Sequence, residues 1–165
     1  MKKLLMKQHL FSFSEKFDIT DDNENVLYNV SGSMFSIPKY FDIFNTHGVV
    51  VAHLSHAVFS FLPKFTLAIS DFSEEVELVQ RFTFLRPKFD IEGLGLRIDG
   101  DVWDMNFTII KNNRKIGYVN QRWLAMSSTY DISIEDESLE TVVVSLVVAI
   151  DYIKAQRHTH VSATN

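Results

Sequence analysis

The stretch from Val142 to Ile150, VVVSLVVAI, contains a single polar residue, Ser145. A helix with apolar side chains on every side has no face to present to water, so an ordinary surface helix is excluded. The stretch is also shorter than the roughly 20 apolar residues that a membrane-spanning helix needs. Two interpretations remain: a strand buried on both faces, which the valines favour, and a helix enclosed by protein. The segment 139–157 contains no Gly or Pro, and its 19 residues are more than a typical strand has, which favours the helix.

A repeat of three residues marks most of the remaining chain. Each copy is an aromatic residue, then Asp or Thr, then Ile or Leu, and the first four copies are 24 residues apart. Alternating apolar and polar side chains have the period of a strand with one buried and one solvated face. Turn residues and a second apolar segment follow most copies, so we expect each copy to begin a hairpin. The copies begin at Phe17, Phe41, Phe65, Phe89, Phe107 and Tyr130.

These hairpins predict about twelve strands, with the last of them supplied either near Leu124 or by the N-terminal segment Leu4–Leu10. Twisted sheets of more than about ten strands close or split, and a barrel of about twelve is too wide for its own side chains to fill. A helix about 10–12 Å wide would fill the space. We therefore predict a mainly β domain over residues 1–157. It is a closed antiparallel barrel of about twelve strands around a buried helix at 139–157, followed by a disordered tail at 158–165.

Composition excludes several classes of protein. The chain has no cysteine, which rules out disulfides and thiolate metal sites and fits a reducing compartment. A net charge of −5 argues against a general nucleic-acid binder. Lys7, Gln8 and His9 interrupt the first apolar segment, so we do not expect a signal peptide. We predict a cytoplasmic protein that is not transmembrane, does not bind nucleic acid, and can associate peripherally with a membrane.

Antiparallel hairpins bring the starts of alternate strands to one end of the barrel, and the residues there are basic. Clustered cations concentrate an anionic ligand even on a protein of negative net charge. We therefore predict a ligand-binding basic rim, with anionic head groups or phosphate as its ligand. The alternative is that these side chains are solvated, some of them paired with the Asp that follows. The basic rim consists of Lys16, Lys39, Lys64, Arg86, Lys88 and Arg122.

Other candidate sites have ordinary structural explanations. His53 and His56 are three apart on a predicted strand, so they face opposite ways and do not form a metal site. The chain lacks a Gly-rich phosphate loop, a G-x-S-x-G elbow and an H-E-x-x-H motif. We expect no metal, no cofactor and no catalytic residue. Asp151 interrupts the apolar helix, and a buried carboxylate needs a partner. We expect it near the barrel mouth, bound to backbone N–H groups or a basic side chain, in a structural role.

Three segments resemble a known family. WLAMSSTYDI, from Trp123 to Ile132, followed by VVAID ending at Asp151, resembles the C-terminal half of LURP-one-related proteins. FDIFNTHGVVVAHL is similar to the strand–turn–strand unit of that family, which belongs with the tubby C-terminal-like and phospholipid-scramblase-like group. Ser128 and Asn120-Gln121 depart from its pattern, where an acidic residue and more basic residues are expected. The resemblance implies a twelve-stranded barrel around a C-terminal helix.

The resemblance also implies a range of functions, because members of the wider group bind phosphoinositides, move lipids or anchor transcription factors. Our first hypothesis is a non-enzymatic binding or scaffold module that recognises anionic lipid head groups such as phosphoinositides. The second is a protein-interaction module with no lipid ligand. The third is an enzyme that uses the barrel mouth beside Asp151.

Overall fold

The computed structural model describes residues 1–7, 16–33, 37–57, 61–62, 64–81, 88–123 and 128–162. These residues form twelve strands, one turn of 3₁₀ helix at Glu137–Leu139, and one α-helix. The strands are β1 Lys2–Lys7, β2 Lys16–Thr20, β3 Val26–Gly32, β4 Tyr40–Asn45, β5 Val50–His56, β6 Lys64–Ile69, β7 Val76–Arg81, β8 Lys88–Glu92, β9 Leu96–Asp101, β10 Asn106–Lys111, β11 Arg114–Trp123 and β12 Ser128–Ile134, and the helix is α1 Glu140–Ser162.

The strands form one antiparallel sheet that curves into a nearly closed barrel. Its order is β8-β7-β6-β5-β4-β3-β2-β1-β12-β11-β10-β9. β1 lies between β2 and β12 and pairs with β12 over six positions, from Lys2 opposite Ile134 to Lys7 opposite Thr129. The N-terminal position for the remaining strand is therefore confirmed, while Leu124 lies outside the described residues.

Closure differs from the prediction at one place. β8 and β9 follow each other through a turn at Gly93–Gly95, but they are the two ends of the sheet and share no strand pairing among the described residues. At the far end of this seam the rings of Phe89 and Trp103 pack with their centroids 5.3 Å apart. Side-chain packing therefore fills part of the seam in place of a hydrogen-bonded ladder.

The triplet repeat sets the orientation of the even-numbered strands. Each copy lies within β2, β4, β6, β8, β10 or β12. Phe65, Phe107 and Tyr130 are fully buried, and so are the third residues of most copies, such as Ile43 and Leu67. The Asp or Thr between them is exposed or half-buried. The predicted barrel of one-sided strands is confirmed.

The helix lies inside the barrel. Every side chain from Val142 to Ile150 is at most 2% exposed, as expected for a helix that is apolar all round. Ser145 satisfies its own hydroxyl by donating to the Thr141 carbonyl at 2.7 Å, one turn earlier. The helix ends at Ser162, five residues beyond the predicted end at 157, so the segment predicted as a tail at 158–165 begins within the helix. No Gly or Pro stands there to end the helix, and residues 163–165 lie outside the described range.

A glycine lets the wall approach the helix closely. A Cβ on Gly117 in β11 would lie 3.1 Å from both methyl carbons of Val143 and 3.4 Å from the Ser133 carbonyl oxygen. Contacts near 3.1 Å are tighter than carbon atoms normally tolerate. A side chain at this position would therefore require Val143 to shift by a few tenths of an ångström.

A buried carboxylate fixes the start of the helix. Glu140 accepts hydrogen bonds from the Lys2 ammonium and the Tyr28 hydroxyl, both at 2.8 Å. Burial, together with the Glu140 carboxylate, raises the pKa of the Tyr28 hydroxyl, which therefore remains a donor at physiological pH. The helix start is thus bound to β1 and β3 at the same point.

We expect Gly117→Val to lower the free energy of unfolding by about 1–3 kcal/mol, because its methyl groups would overlap Val143. Val143→Ala alone should cost about 2 kcal/mol through the cavity it leaves. The double variant should lose less than the sum, because the smaller helix residue makes room for the larger wall residue. Urea unfolding of all four proteins measures the coupling. Additive losses would contradict this packing of wall against helix.

Candidate functional site at the basic end of the barrel

The two ends of the barrel carry opposite charge. Even-numbered strands begin, and odd-numbered strands end, at what we call the basic end; the opposite end is the acidic end. The turns of the acidic end carry Asp21, Asp22, Glu24, Asp71, Glu74, Glu75, Glu135, Asp136 and Glu137, and the cations at this end are Lys2, Lys3, Arg97, Lys111, Arg114 and Lys115. The basic end carries Lys7, Lys16, Lys39, Lys64, Arg81, Lys88 and Arg122, together with the carboxylates Asp101 and Asp104 of the β9–β10 turn.

Five of the six predicted rim residues lie at the basic end, and Arg86 lies outside the described residues. Sequence reasoning missed Lys7 and Arg81, because it counted only residues that begin strands. Lys7 ends β1 and Arg81 ends β7. A search of the residues that close odd-numbered strands would have found both.

Three cations of the basic end are neutralised by carboxylates on neighbouring strands. Lys64 pairs with Glu77 at 2.8 Å, and Arg122 pairs with Asp131 at 2.7 Å. Arg81 binds two carboxylates, Asp90 at 3.0 Å and Glu92 at 2.9 Å. At these positions the predicted alternative of charge pairing applies, but all four partners lie on a neighbouring strand, and none is the Asp that follows in the sequence.

Lys39 is held close to the wall. Its ammonium donates to the Ser33 carbonyl and lies 5.6 Å from the centroid of the Phe41 ring. Both contacts restrict the side chain and keep its charge at the entrance to the barrel.

A cleft on the outer face brings two of the remaining cations together. β1 and β2 pair at only two positions, Leu5 opposite Thr20 and Met6 opposite Ile19. The strands therefore diverge toward the basic end, and a cleft of about 350 Å³ opens between them. Its lining residues are Leu5, Lys7, Lys16, Phe17, Asp18 and Thr20.

The charges in this cleft favour an anion. Lys7 and Lys16 are exposed, and neither forms an ion pair with another residue in the described part of the chain. The only carboxylate of the lining, Asp18, accepts a hydrogen bond from the Asn29 side-chain amide at 2.7 Å. The volume matches the lower range of small-molecule sites, about 300–1,000 Å³.

Inside the barrel mouth at the same end, polar side chains pair with one another. The Tyr130 hydroxyl donates to Asp151 Oδ1 at 2.6 Å, and the buried Lys154 ammonium donates to Gln121 Oε1 at 2.7 Å. Asp151 thus lies near the mouth as expected, and one of its partners is a tyrosine hydroxyl. Burial and the Asp151 charge raise the pKa of Tyr130. Within the described residues Gln121 Nε2 is buried without a hydrogen-bond partner.

His53 and His56, which we expected to face opposite ways, lie on opposite faces of β5. His53 points outward, where its Nδ1 lies 2.6 Å from Asp42 Oδ1. The His56 ring lies 5.0 Å from that of Phe65 and 6.1 Å from that of Tyr152, and burial lowers its pKa.

Across the ranges that the structure covers, no three His, Asp or Glu side chains converge as metal ligands would. No helix in those ranges is long and apolar enough to cross a bilayer.

Lys154 gives this mouth a pH-dependent contribution to stability. Burial lowers the pKa of its ammonium, and Asp151, Asp104 and Asp101 only partly oppose this effect. Above the lowered pKa the folded protein releases this proton while the unfolded chain still holds it. The free energy of unfolding therefore rises with pH until the usual lysine pKa is reached.

We expect the free energy of unfolding of the wild type, minus that of Lys154→Met, to increase as pH rises from 7 to 10. Urea unfolding at several pH values measures it. Lys3→Met, which removes an exposed lysine of β1, controls for the loss of one positive charge. A difference for Lys154→Met that is flat or falls with pH would contradict the effect of burial.

Comparisons with known proteins agree with the barrel and with the resemblance found in the sequence. The uncharacterized protein YxjI of Bacillus subtilis strain 168 is 28% identical over 153 residues, which are 93% of this chain and 94% of that protein. The X-ray structure of a protein from Arabidopsis thaliana has a TM-score of 0.61 at 14% identity, covering 92% of this chain and 91% of that one. It shows that the two share a tubby-like fold. A family model described as LURP-one-related matches residues 2–151, nearly the whole chain, and the protein therefore belongs to the LURP-one-related family.

Proposed function

We propose that this protein is a non-enzymatic binding module that recognises anionic lipid head groups, such as phosphoinositides, at the basic end. The observation that carries the proposal is the cleft between β1 and β2. It places the exposed ammonium groups of Lys7 and Lys16 beside a space of about 350 Å³. A phosphorylated head group supplies the negative charge and the acceptor oxygens that such ammonium groups bind.

The distribution of charge around the rest of the basic end supports an anionic ligand. Lys88 is exposed and forms no ion pair with another described residue, and Lys39 holds its charge at the entrance. The acidic end carries most of the negative turns, so the molecule is electrically polar along the barrel axis. Such a charge distribution orients the basic end toward an anionic surface despite the net charge of −5.

A binding role without catalysis is supported by the state of the polar groups inside the mouth. The Tyr130 hydroxyl is bound to Asp151, and the Lys154 ammonium to Gln121. Each contact joins the helix to the wall, which is a structural role for these groups.

The test is co-sedimentation with phosphatidylcholine vesicles that contain or lack 5% phosphatidylinositol bisphosphate. Each lysine near an anionic surface contributes about 1 kcal/mol, so Lys7→Gln combined with Lys16→Gln should weaken binding roughly 10–30-fold. Lys111→Gln with Lys115→Gln removes the same charge from the acidic end and should change binding by about twofold or less.

Soluble ligands distinguish a head group from phosphate alone. If the cleft recognises the head group, inositol trisphosphate should compete with the vesicles and inorganic phosphate at the same concentration should not. Equal losses in the two double variants would place binding elsewhere. No binding to the anionic vesicles at low salt would contradict the proposal and would favour the protein-interaction module.

A further inference from the structure

Two apolar side chains at the basic end lie almost entirely in solvent. Ile37, in the loop between β3 and β4, is 83% exposed, and Phe61, in the loop between β5 and β6, is 97% exposed. No other large apolar side chain in the described part of the chain is as exposed. Single exposed apolar residues are common on protein surfaces, so exposure alone does not define a site. Their position relative to each other and to the cations is what matters.

The two loops leave the barrel side by side. The His56 N–H donates to the Lys39 carbonyl at 2.8 Å, and the Ala57 N–H donates to the Lys64 carbonyl at 2.9 Å. The first of these backbone hydrogen bonds joins the end of the β3–β4 loop to the end of β5, and the second closes the base of the β5–β6 loop. Ile37 and Phe61 therefore extend from adjacent parts of the same end.

Cations flank both apolar side chains. Lys39 follows Ile37 by two residues, and Lys64, whose charge is paired with Glu77, follows Phe61 by three. Lys16 and Lys88 lie on the same end. Apolar side chains among cations are the combination by which peripheral proteins bind anionic membranes: the apolar groups enter the interface and the cations bind the head groups.

The acidic end also exposes apolar side chains, but in the opposite electrostatic setting. Val49 and Val50 are 57% and 43% exposed in and beside the β4–β5 turn. An anionic bilayer repels the carboxylates of the neighbouring turns at that end. Charge complementarity therefore selects the basic end as the face that meets a membrane.

We propose that the barrel docks on anionic bilayers through its basic end, with Ile37 and Phe61 inserted among the lipid head groups. The inference rests on the proposed function, because the lysines supply the attraction to the membrane. It adds that the bilayer itself, rather than a free head group, is the full ligand.

The chain has no cysteine, which allows a direct test by labelling one position at a time. Phe61→Cys and, as the matched control, Val49→Cys each receive an environment-sensitive fluorophore. They are mixed with vesicles of phosphatidylcholine containing 20% phosphatidylserine and 5% phosphatidylinositol bisphosphate. The probe at position 61 should shift to shorter wavelength and be quenched by spin-labelled lipid. The probe at position 49 should remain unchanged.

The outcomes separate this inference from the proposed function. If the protein sediments with the vesicles while the probe at 61 stays unchanged, insertion is wrong and head-group binding stands. If the protein does not sediment, both are wrong. If the probe at 61 is already shifted without vesicles and light scattering shows a dimer, a second copy covers Phe61 and insertion is wrong.

A second pair of variants tests the contribution of insertion to affinity. Ile37→Ser combined with Phe61→Ser should weaken vesicle binding on the order of tenfold or more per side chain. The loss should persist at 0.5 M salt, because burial of apolar surface is not screened by ions. Val49→Ser combined with Val50→Ser should leave binding unchanged. Thermal unfolding checks that all variants remain folded, and equal losses in the two pairs would overturn the inference.

Discussion

The structure depends on the enclosure of one helix. From Val142 to Ile150 every side chain of α1 is apolar except Ser145, whose hydroxyl bonds within the helix. Such a helix is stable in water only when it is surrounded, and the inner faces of twelve strands surround it. The barrel wall also depends on the helix, because the side chains of a barrel of this width cannot fill its interior. Gly117 and the Glu140 contacts set how closely the wall approaches the helix and where the helix begins.

The same enclosure explains why the two ends of the molecule differ. A repeated hairpin places every even-numbered strand in the same direction, so residues that recur at strand starts accumulate at one end. Lysines precede or begin several copies of the repeat, whereas acidic residues fill the turns after β2 and β6 and the segment after β12. The charge polarity thus follows from the repeat and the antiparallel topology together.

Sequence reasoning reached most of this fold and only part of the site. An all-round apolar segment identifies an enclosed helix, and a repeated alternating triplet identifies one-sided strands, because both patterns are local. The β1–β2 cleft depends on two strands that separate after two paired positions, for which the residues give no local signal. The partners of Lys64 and Arg81 lie across the sheet, so their ion pairs required the register. Phe61 belongs to an apolar segment whose composition favours the core, and only the structure shows that it is exposed.

The place of β1 in the sheet has a consequence for biosynthesis. β1 pairs with β12, which the ribosome adds more than a hundred residues later, and α1 follows β12. The apolar inner faces of the earlier strands therefore stay uncovered during most of translation, since the segment that will cover them has not yet been made. Contacts so distant along the chain form slowly, and exposed strand edges invite aggregation. The barrel is therefore completed only after β12 and α1 have been made, and the nascent chain is most prone to aggregation before that point.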